Sequence, residues 1–193
     1  MFEGDAVPDG SVQDASAREE DPRALARQVC LKLLTLAPRT RAQLADALRK
    51  RGIPDDAADD VLGRFTDVGL IDDAAFARAW VESRHHGRGL AGRALTAELR
   101  RRGVADEEIR DAVAELGPDA EAAAARRLVE QKLPGTRGHS PEARTRRLAG
   151  MLARKGYPAG LAFRVIRQAM EAEGTDAPLP EDPEFDDLDS WPG

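Results

Sequence analysis

Three stretches of this chain repeat one pattern. Leu44, Leu48, Arg49, Lys50, Arg51, Gly52 and Ile53 form the first, and Leu95, Leu99, Arg100, Arg101, Arg102, Gly103 and Val104 the second. Leu148, Leu152, Ala153, Arg154, Lys155, Gly156 and Tyr157 form the third. In each, a leucine pair at i and i+4 leads into a basic run, one glycine and one apolar residue; the glycines lie 51 and then 53 residues apart. Leucines four apart share one helix face, a glycine after the last turn accepts the left-handed conformation that ends a helix, and the apolar residue beyond it can fold back on that helix. Recurrence at this period means one supersecondary unit used three times, each helping to bury the next.

The segments between these stretches complete the units. Pro22, after Asp21 as N-cap, starts a helix carrying Leu25, Val29, Cys30, Leu33 and Leu36, which Pro38 stops. Thr40 and Gln43 form a capping box for the next helix, and Pro54-Asp55-Asp56 starts a third with Val61, Leu62 and Phe65. The same order follows in the second unit. Asp72 or Asp73 caps a helix through Phe76, Ala77, Trp80, Val81 and Arg84, a glycine-rich turn (Gly87, Gly89, Gly92) follows, and a third helix after Asp106 carries Ile109, Val113 and Leu116. The third unit starts at Asp119, crosses a linker from Pro134 to His139, restarts at Ser140-Pro141-Glu142 and ends in a helix with Leu161, Val165, Ile166 and Met170. No segment alternates with a strand's period of two. The expected fold is all-α: three tandem three-helix, helix-turn-helix-like repeats (23–68, 69–117 and 118–173) in an elongated array that can curve. Disordered acidic tails are expected at 1–22 and 174–193.

The formal charge of −6 is divided unevenly. Residues 1–22 carry −6, residues 23–172 carry +8, and residues 173–193 carry −8. A basic body between acidic tails points to an anionic partner. The candidate contact residues are Arg49, Lys50, Arg51, Arg84, Arg88, Arg93, Arg100, Arg101, Arg102, Arg146, Arg147, Arg154 and Lys155. Arginine dominates this set, and its planar fork suits phosphate and carboxylate. A structural reading competes, since cations in a helix's last turn complement the macrodipole for about 0.3–1 kcal/mol each. Recurrence in three units favours a binding surface. Within the second unit, Phe76 and Trp80 are expected on the buried helix face, with Arg84 one turn on, and the glycines as a flexible hinge from which Arg88 and Arg93 project.

Other residues argue against catalysis. His85 and His86 are adjacent and so diverge around a helix, with no ligand at metal spacing; a solvated pair is expected. Asp55, Asp56, Asp59 and Asp60 occupy a helix's first two turns, where acids are favoured. Cys30 is the one cysteine, on an apolar helix face, which suits a reducing compartment. No nucleophile–base order, phosphate loop or metal cluster is present, no apolar run reaches 18 residues, and the N-terminus lacks a signal-peptide pattern. The expectation is a cytoplasmic monomer, not an enzyme, without cofactor or metal. The final segment, Glu181 to Trp191, alternates acids with Phe185, Leu188 and Trp191. It is either a solubilising tail or a segment that binds a partner or mimics DNA on the basic body.

The stretch from Ile71 to Val104 resembles the signature of the RecX family of recombination regulators. The matching positions are Ile71, Asp72, Asp73, Phe76, Ala77, Trp80, Arg84, Gly87, Gly89, Glu98, Leu99, Arg101, Arg102, Gly103 and Val104. The flanking units resemble that family's tandem three-helix plan over about residues 24–172. Two features depart from it: Leu90-Ala91-Gly92 stands where the turn more usually continues with a Gly-Pro pair, and the acidic tails exceed the family core. The resemblance implies a negative regulator that binds the RecA–DNA filament and inhibits its ATPase, strand-exchange and coprotease activities, in contact with DNA. A sequence-tolerant nucleic-acid-binding repeat protein acting without RecA is the alternative.

Overall fold

The computed structural model describes residues 21–174, which are helical and turn-connected without a strand among them. They fall into two compact units divided between Ile71 and Asp72. The expected tails at 1–22 and 174–193 lie outside the described residues, apart from Asp21, Pro22 and Gly174.

The first unit holds α1 (Pro22–Leu36), α2 (Arg41–Arg49) and α3 (Asp55–Asp67). Asp21 caps α1 through its carboxylate on the Arg23 N–H (3.0 Å), with proline at the first helical position. Thr40 and Gln43 close a reciprocal box at the start of α2, both bonds at 3.2 Å. The core is Ala26, Cys30, Leu44, Leu48, Ile53, Leu62, Phe65 and their neighbours, so the thiol of Cys30 is buried and its pKa is raised by that burial.

The second unit holds α4 (Asp73–Arg88), α5 (Gly92–Arg100), α6 (Asp106–Ala114), α7 (Pro118–Lys132), α8 (Pro141–Arg154) and α9 (Ala159–Ala172). Helices α4–α6 enclose Ala77, Val81, Leu95, Leu99, Val104 and Ile109; α7–α9 enclose Val129, Leu148, Leu152, Tyr157, Val165, Ile166 and Met170. The recurring glycine motif ends α2, α5 and α8 in one way. Gly52, Gly103 and Gly156 all have positive φ (72°, 77° and 87°). The N–H of the apolar residue after each bonds back to the carbonyl of the second leucine: Ile53 to Leu48 at 3.3 Å, Val104 to Leu99 at 3.3 Å and Tyr157 to Leu152 at 3.1 Å. This is the Schellman arrangement, with the apolar residue tucked under the helix it stops.

Four sequence expectations need correcting. The segment expected as a linker from Pro134 contains a 3₁₀ turn, Leu133–Thr136, that buries Leu133 and Thr136. His85 is not solvated: it lies in the α4 core face, 3% exposed, with Nδ1 2.9 Å from the Leu90 carbonyl. Only His86 of that pair is exposed. Phe76 and Trp80 do not form the buried face of α4. That face is Ala77, Val81 and His85, and the two rings are half-buried beside it.

The fourth correction concerns the glycine-rich turn between α4 and α5, which is a docked corner and not a flexible hinge. Ala91 is fully buried in the core formed by α7–α9. Its N–H donates to the Lys155 carbonyl (2.9 Å), the Tyr157 hydroxyl donates to the Gly89 carbonyl (3.0 Å), and the Lys155 ammonium donates to the Arg88 carbonyl. Helix α5 has no side-chain cap of its own because Ala91 stands at its N-cap. Glu121 of α7 supplies one, accepting from the Gly92 N–H at 2.7 Å; a carboxylate there also meets the positive end of the α5 dipole. Each such bond contributes about 1 kcal/mol net, more where one partner is charged, and together they fasten α4–α6 to α7–α9.

Candidate partner-binding surface

The corner of α4 and α5 gathers a stacked aromatic pair. The rings of Phe76 and Trp80, one turn apart, stack with centroids 5.7 Å apart and planes 15° from parallel. Two guanidinium groups lie over the Trp80 ring: Arg84, one turn further along α4, at 4.2 Å, and Arg102, from just past α5, at 3.6 Å. Glu98 of α5 joins the group. Its Oε2 accepts from the indole Nε1 (2.8 Å) and lies 3.6 Å from Arg84 Nε. Burial lowers the pKa of Arg102 from its usual value, as do Arg84 and Arg101 beside it, while Glu98 opposes them. The cluster is half-buried, so the two cations are oriented by the ring and by one carboxylate while their outer edges remain open to solvent. Arg–aromatic stacking of this kind contributes about 0.5–1 kcal/mol each at exposed sites. The spacing of Trp80 and Arg84 in the sequence points to their contact; nothing in it places Glu98 and Arg102 there, because they come from α5 and the turn after it.

The remaining candidates divide by what holds them. Arg49 pairs with Asp46 (2.7 Å) and Arg100 with Asp106 (2.8 Å). Arg51 turns back onto the Ala47 carbonyl of its own helix (3.1 Å). These three fit the helix-end reading. Lys155 serves the docked corner just described. Lys50, Arg88, Arg93, Arg101, Arg146, Arg147 and Arg154 are exposed and have no ion pair among the described residues. Of these, Arg88 and Arg93 flank the turn that is docked on the α8–α9 turn, and Arg146, Arg147 and Arg154 lie along α8.

Charge is also less evenly shared than three similar basic runs suggest. Residues 72–117 carry a net −1, against +5 for residues 118–174. Within the second unit the surplus therefore sits on α7–α9. Arg144 of α8, which the sequence also suggested for the basic surface, is buried instead: it is 5% exposed, bonded to Thr136 Oγ1 (3.0 Å) and to Glu173. Glu173 also takes Arg137 (2.7 Å), and these two hydrogen-bonded cations lower its carboxyl pKa. That group closes the end of α9 and is structural. Among the described residues, no three or more His, Cys, Asp or Glu side chains are placed to hold a metal, and no helix is long and apolar enough to cross a membrane.

Three family models match the chain: RecX, first three-helix domain, over residues 26–65; RecX, second three-helix domain, over 72–113; and RecX, third three-helix domain, over 119–166. The chain is 59% identical over 165 residues to the protein named Regulatory protein RecX of Thermobifida fusca (strain YX), covering 86% of this chain and 89% of that one. It is 58% identical over 176 residues to the Regulatory protein RecX of Streptomyces lividans, covering 89% and 94%. Its fold is similar to the crystal structure of RecX from Lactobacillus salivarius, with a TM-score of 0.73 at 20% identity over 79% of this chain and 98% of that chain.

Proposed function

The chain belongs to the RecX family of regulatory proteins, and on that premise we propose that it is a negative regulator of the RecA recombinase. In this reading it binds the RecA–DNA filament and lowers ATP hydrolysis, strand exchange and coprotease activity. The observation that carries the reading is the set of exposed arginines without an internal acid partner, Arg88, Arg93, Arg101, Arg146, Arg147 and Arg154, on a body whose two repeats are fastened together. Guanidinium groups left unpaired at the surface are available to phosphates or carboxylates. Many modest contacts spread over one compact unit suit a partner that is long and repetitive. Affinity built this way falls steeply with salt.

Inhibition follows if the protein favours one filament state or occupies the groove that a second DNA strand must enter. The test is RecA-catalysed ATP hydrolysis on single-stranded DNA with the protein at substoichiometric dose, alongside co-sedimentation with filaments. Absence of both inhibition and co-sedimentation would refute the proposal. Equal affinity for naked DNA and for filaments would favour a nucleic-acid-binding role independent of RecA.

A further inference from the structure

We propose that the α4–α5 corner around Trp80 seats backbone phosphates of a nucleic-acid strand, held by Arg84 and Arg102 without contact to its bases. This assignment rests on the reading given under Proposed function, which puts nucleic acid in the partner. The two guanidinium groups are oriented before any ligand arrives. The indole of Trp80 carries Arg102 at 3.6 Å and Arg84 at 4.2 Å from its centroid. The indole is itself fixed, stacked on Phe76 and donating its Nε1–H to Glu98 at 2.8 Å. A guanidinium held in place loses less side-chain entropy when it forms paired hydrogen bonds to phosphate oxygens.

Charge at this corner favours an anion although the repeat as a whole does not. Residues 72–105 hold seven arginines against four acids, a net +3. The acids that bring the repeat to −1 belong to α6 and the residue after it: Asp106, Glu107, Glu108, Asp111 and Glu115. Two of these are engaged locally, Asp106 by Arg100 and Glu108 by the Ala105 N–H. At the corner, Asp72 accepts from the Ala75 N–H at the start of α4, and Glu98 is held by the indole and Arg84. Arg101 is exposed next to Arg102, and Arg88 is exposed one further turn along α4, about 6 Å on. Burial lowers the pKa of Arg102, and repulsion from Arg84 and Arg101 adds to it; a bound anion relieves that repulsion.

The same geometry disfavours base stacking. Proteins that hold single strands by stacking leave aromatic faces open to successive bases, whereas this indole is already covered by two cations. The corner therefore fits the part of a nucleic acid that is the same at every residue, and contacts of that kind position a strand without reading its sequence. An acidic protein surface offers carboxylates to the same guanidinium groups. Phosphate is the better match because the cations run on, Arg84 and Arg88 on successive turns with Arg101 and Arg102 just past α5, and a phosphodiester chain supplies an anion at every step.

The chain has two tryptophans, Trp80 and Trp191, so full-length Trp191→Phe leaves Trp80 as the reporter. Oligothymidylate at low salt should weaken acrylamide quenching of Trp80 several-fold, and an abasic strand of the same length should bind within about threefold as tightly. Adding Arg84→Gln with Arg102→Gln should reduce the slope of log affinity against log salt by roughly 1.4, at about 0.7 per phosphate contact, at unchanged helical circular dichroism. Arg78→Gln, at an exposed α4 position outside the cluster, should leave the slope as it is. Glu98→Gln keeps an acceptor for the indole and removes the opposing charge, so affinity should rise several-fold; a merely structural Glu98 gives no gain, and this variant tests the site even if the glutamine pair fails to fold. No oligothymidylate binding at low salt overturns the proposal, as does binding that leaves Trp80 equally accessible, an unchanged slope in the arginine pair, no gain in Glu98→Gln, or a larger loss with the abasic strand. Polyglutamate that binds as tightly and protects Trp80 equally overturns it in favour of an acidic protein partner. Filament assays separate the two readings: oligonucleotide binding through this pair without filament inhibition or co-sedimentation keeps the site and refutes RecA regulation, whereas full filament inhibition by the arginine-pair variant, with its slope unchanged, keeps RecA regulation and refutes the site.

Discussion

Replacing each of the three recurring glycines with alanine should give unequal penalties. All three have positive φ, where an L-residue costs about 1–2 kcal/mol. A Cβ added at Gly52 or Gly103 meets nothing within 4 Å, so Gly52→Ala and Gly103→Ala carry that backbone cost alone. At Gly156 the added Cβ would lie 2.5 Å from the Ala94 nitrogen, 2.8 Å from its Cβ and 3.2 Å from its Cα. The obstacle is mostly helix backbone of α5, which cannot rotate away as a flexible side chain can. Relief requires separating the α8–α9 turn from α5, which strains the Ala91–Lys155 and Tyr157–Gly89 hydrogen bonds. Overpacking of this sort adds about 1–3 kcal/mol, so Gly156→Ala should cost about 2–5 kcal/mol in total. Gly103 is the proper control because it belongs to the same compact unit. The assay is urea unfolding followed by circular dichroism, with the slope compared between variants. If Gly156→Ala is no more destabilising than Gly103→Ala, the close docking of repeats two and three is wrong.

Other measurements bear on the same contacts. Glu121→Ala should destabilise the second unit by about 1–2 kcal/mol, since it removes the only side-chain cap of α5, whereas Glu130→Ala on the same helix should be near neutral. Tyr157 is the chain's one tyrosine, so ultraviolet titration reads it directly: burial first, then Glu121, raise its pKa from 10.0 to about 12. Its raised folded pKa means that its stabilising contribution is full below the unfolded value and is lost as pH rises towards 12; titration at the ordinary phenol value would contradict its burial. Glu173 titrates with the opposite sense. Its lowered carboxyl pKa stabilises the fold above the unfolded value of 4.5 and ceases to do so as pH falls through the folded value, so Glu173→Gln should flatten acid unfolding of the second unit. The triple change Arg88, Arg93 and Arg147 to alanine should weaken filament co-sedimentation and shallow its salt dependence, with helical circular dichroism unaltered.

Helix positions were largely legible in the sequence because local chemistry decides them. Asp21-Pro22, the Thr40–Gln43 box, Ser140-Pro141 and the recurring Leu–Leu–basic–Gly–apolar ends each satisfy or stop a helix within a few residues, and the structure uses every one. The membership of the family was legible too, because the residues from Ile71 to Val104 resemble its signature. What the sequence could not show is what one repeat does to another. Three glycines with the same neighbours read alike, yet only Gly156 faces another repeat's backbone. The turn through Gly87, Gly89 and Gly92 reads as a flexible hinge, and becomes a fixed corner because Lys155 holds Ala91 and Glu121, 29 residues beyond Gly92, caps α5. Trp80 reads as core, and is a half-buried platform beside it, covered by Arg102 from just past α5 and hydrogen-bonded to Glu98 of α5. Caps and periodicity act over one or two helical turns and are written in consecutive residues. Docking, burial and the pairing of charges depend on distances between segments far apart in the chain, and only the folded arrangement sets those.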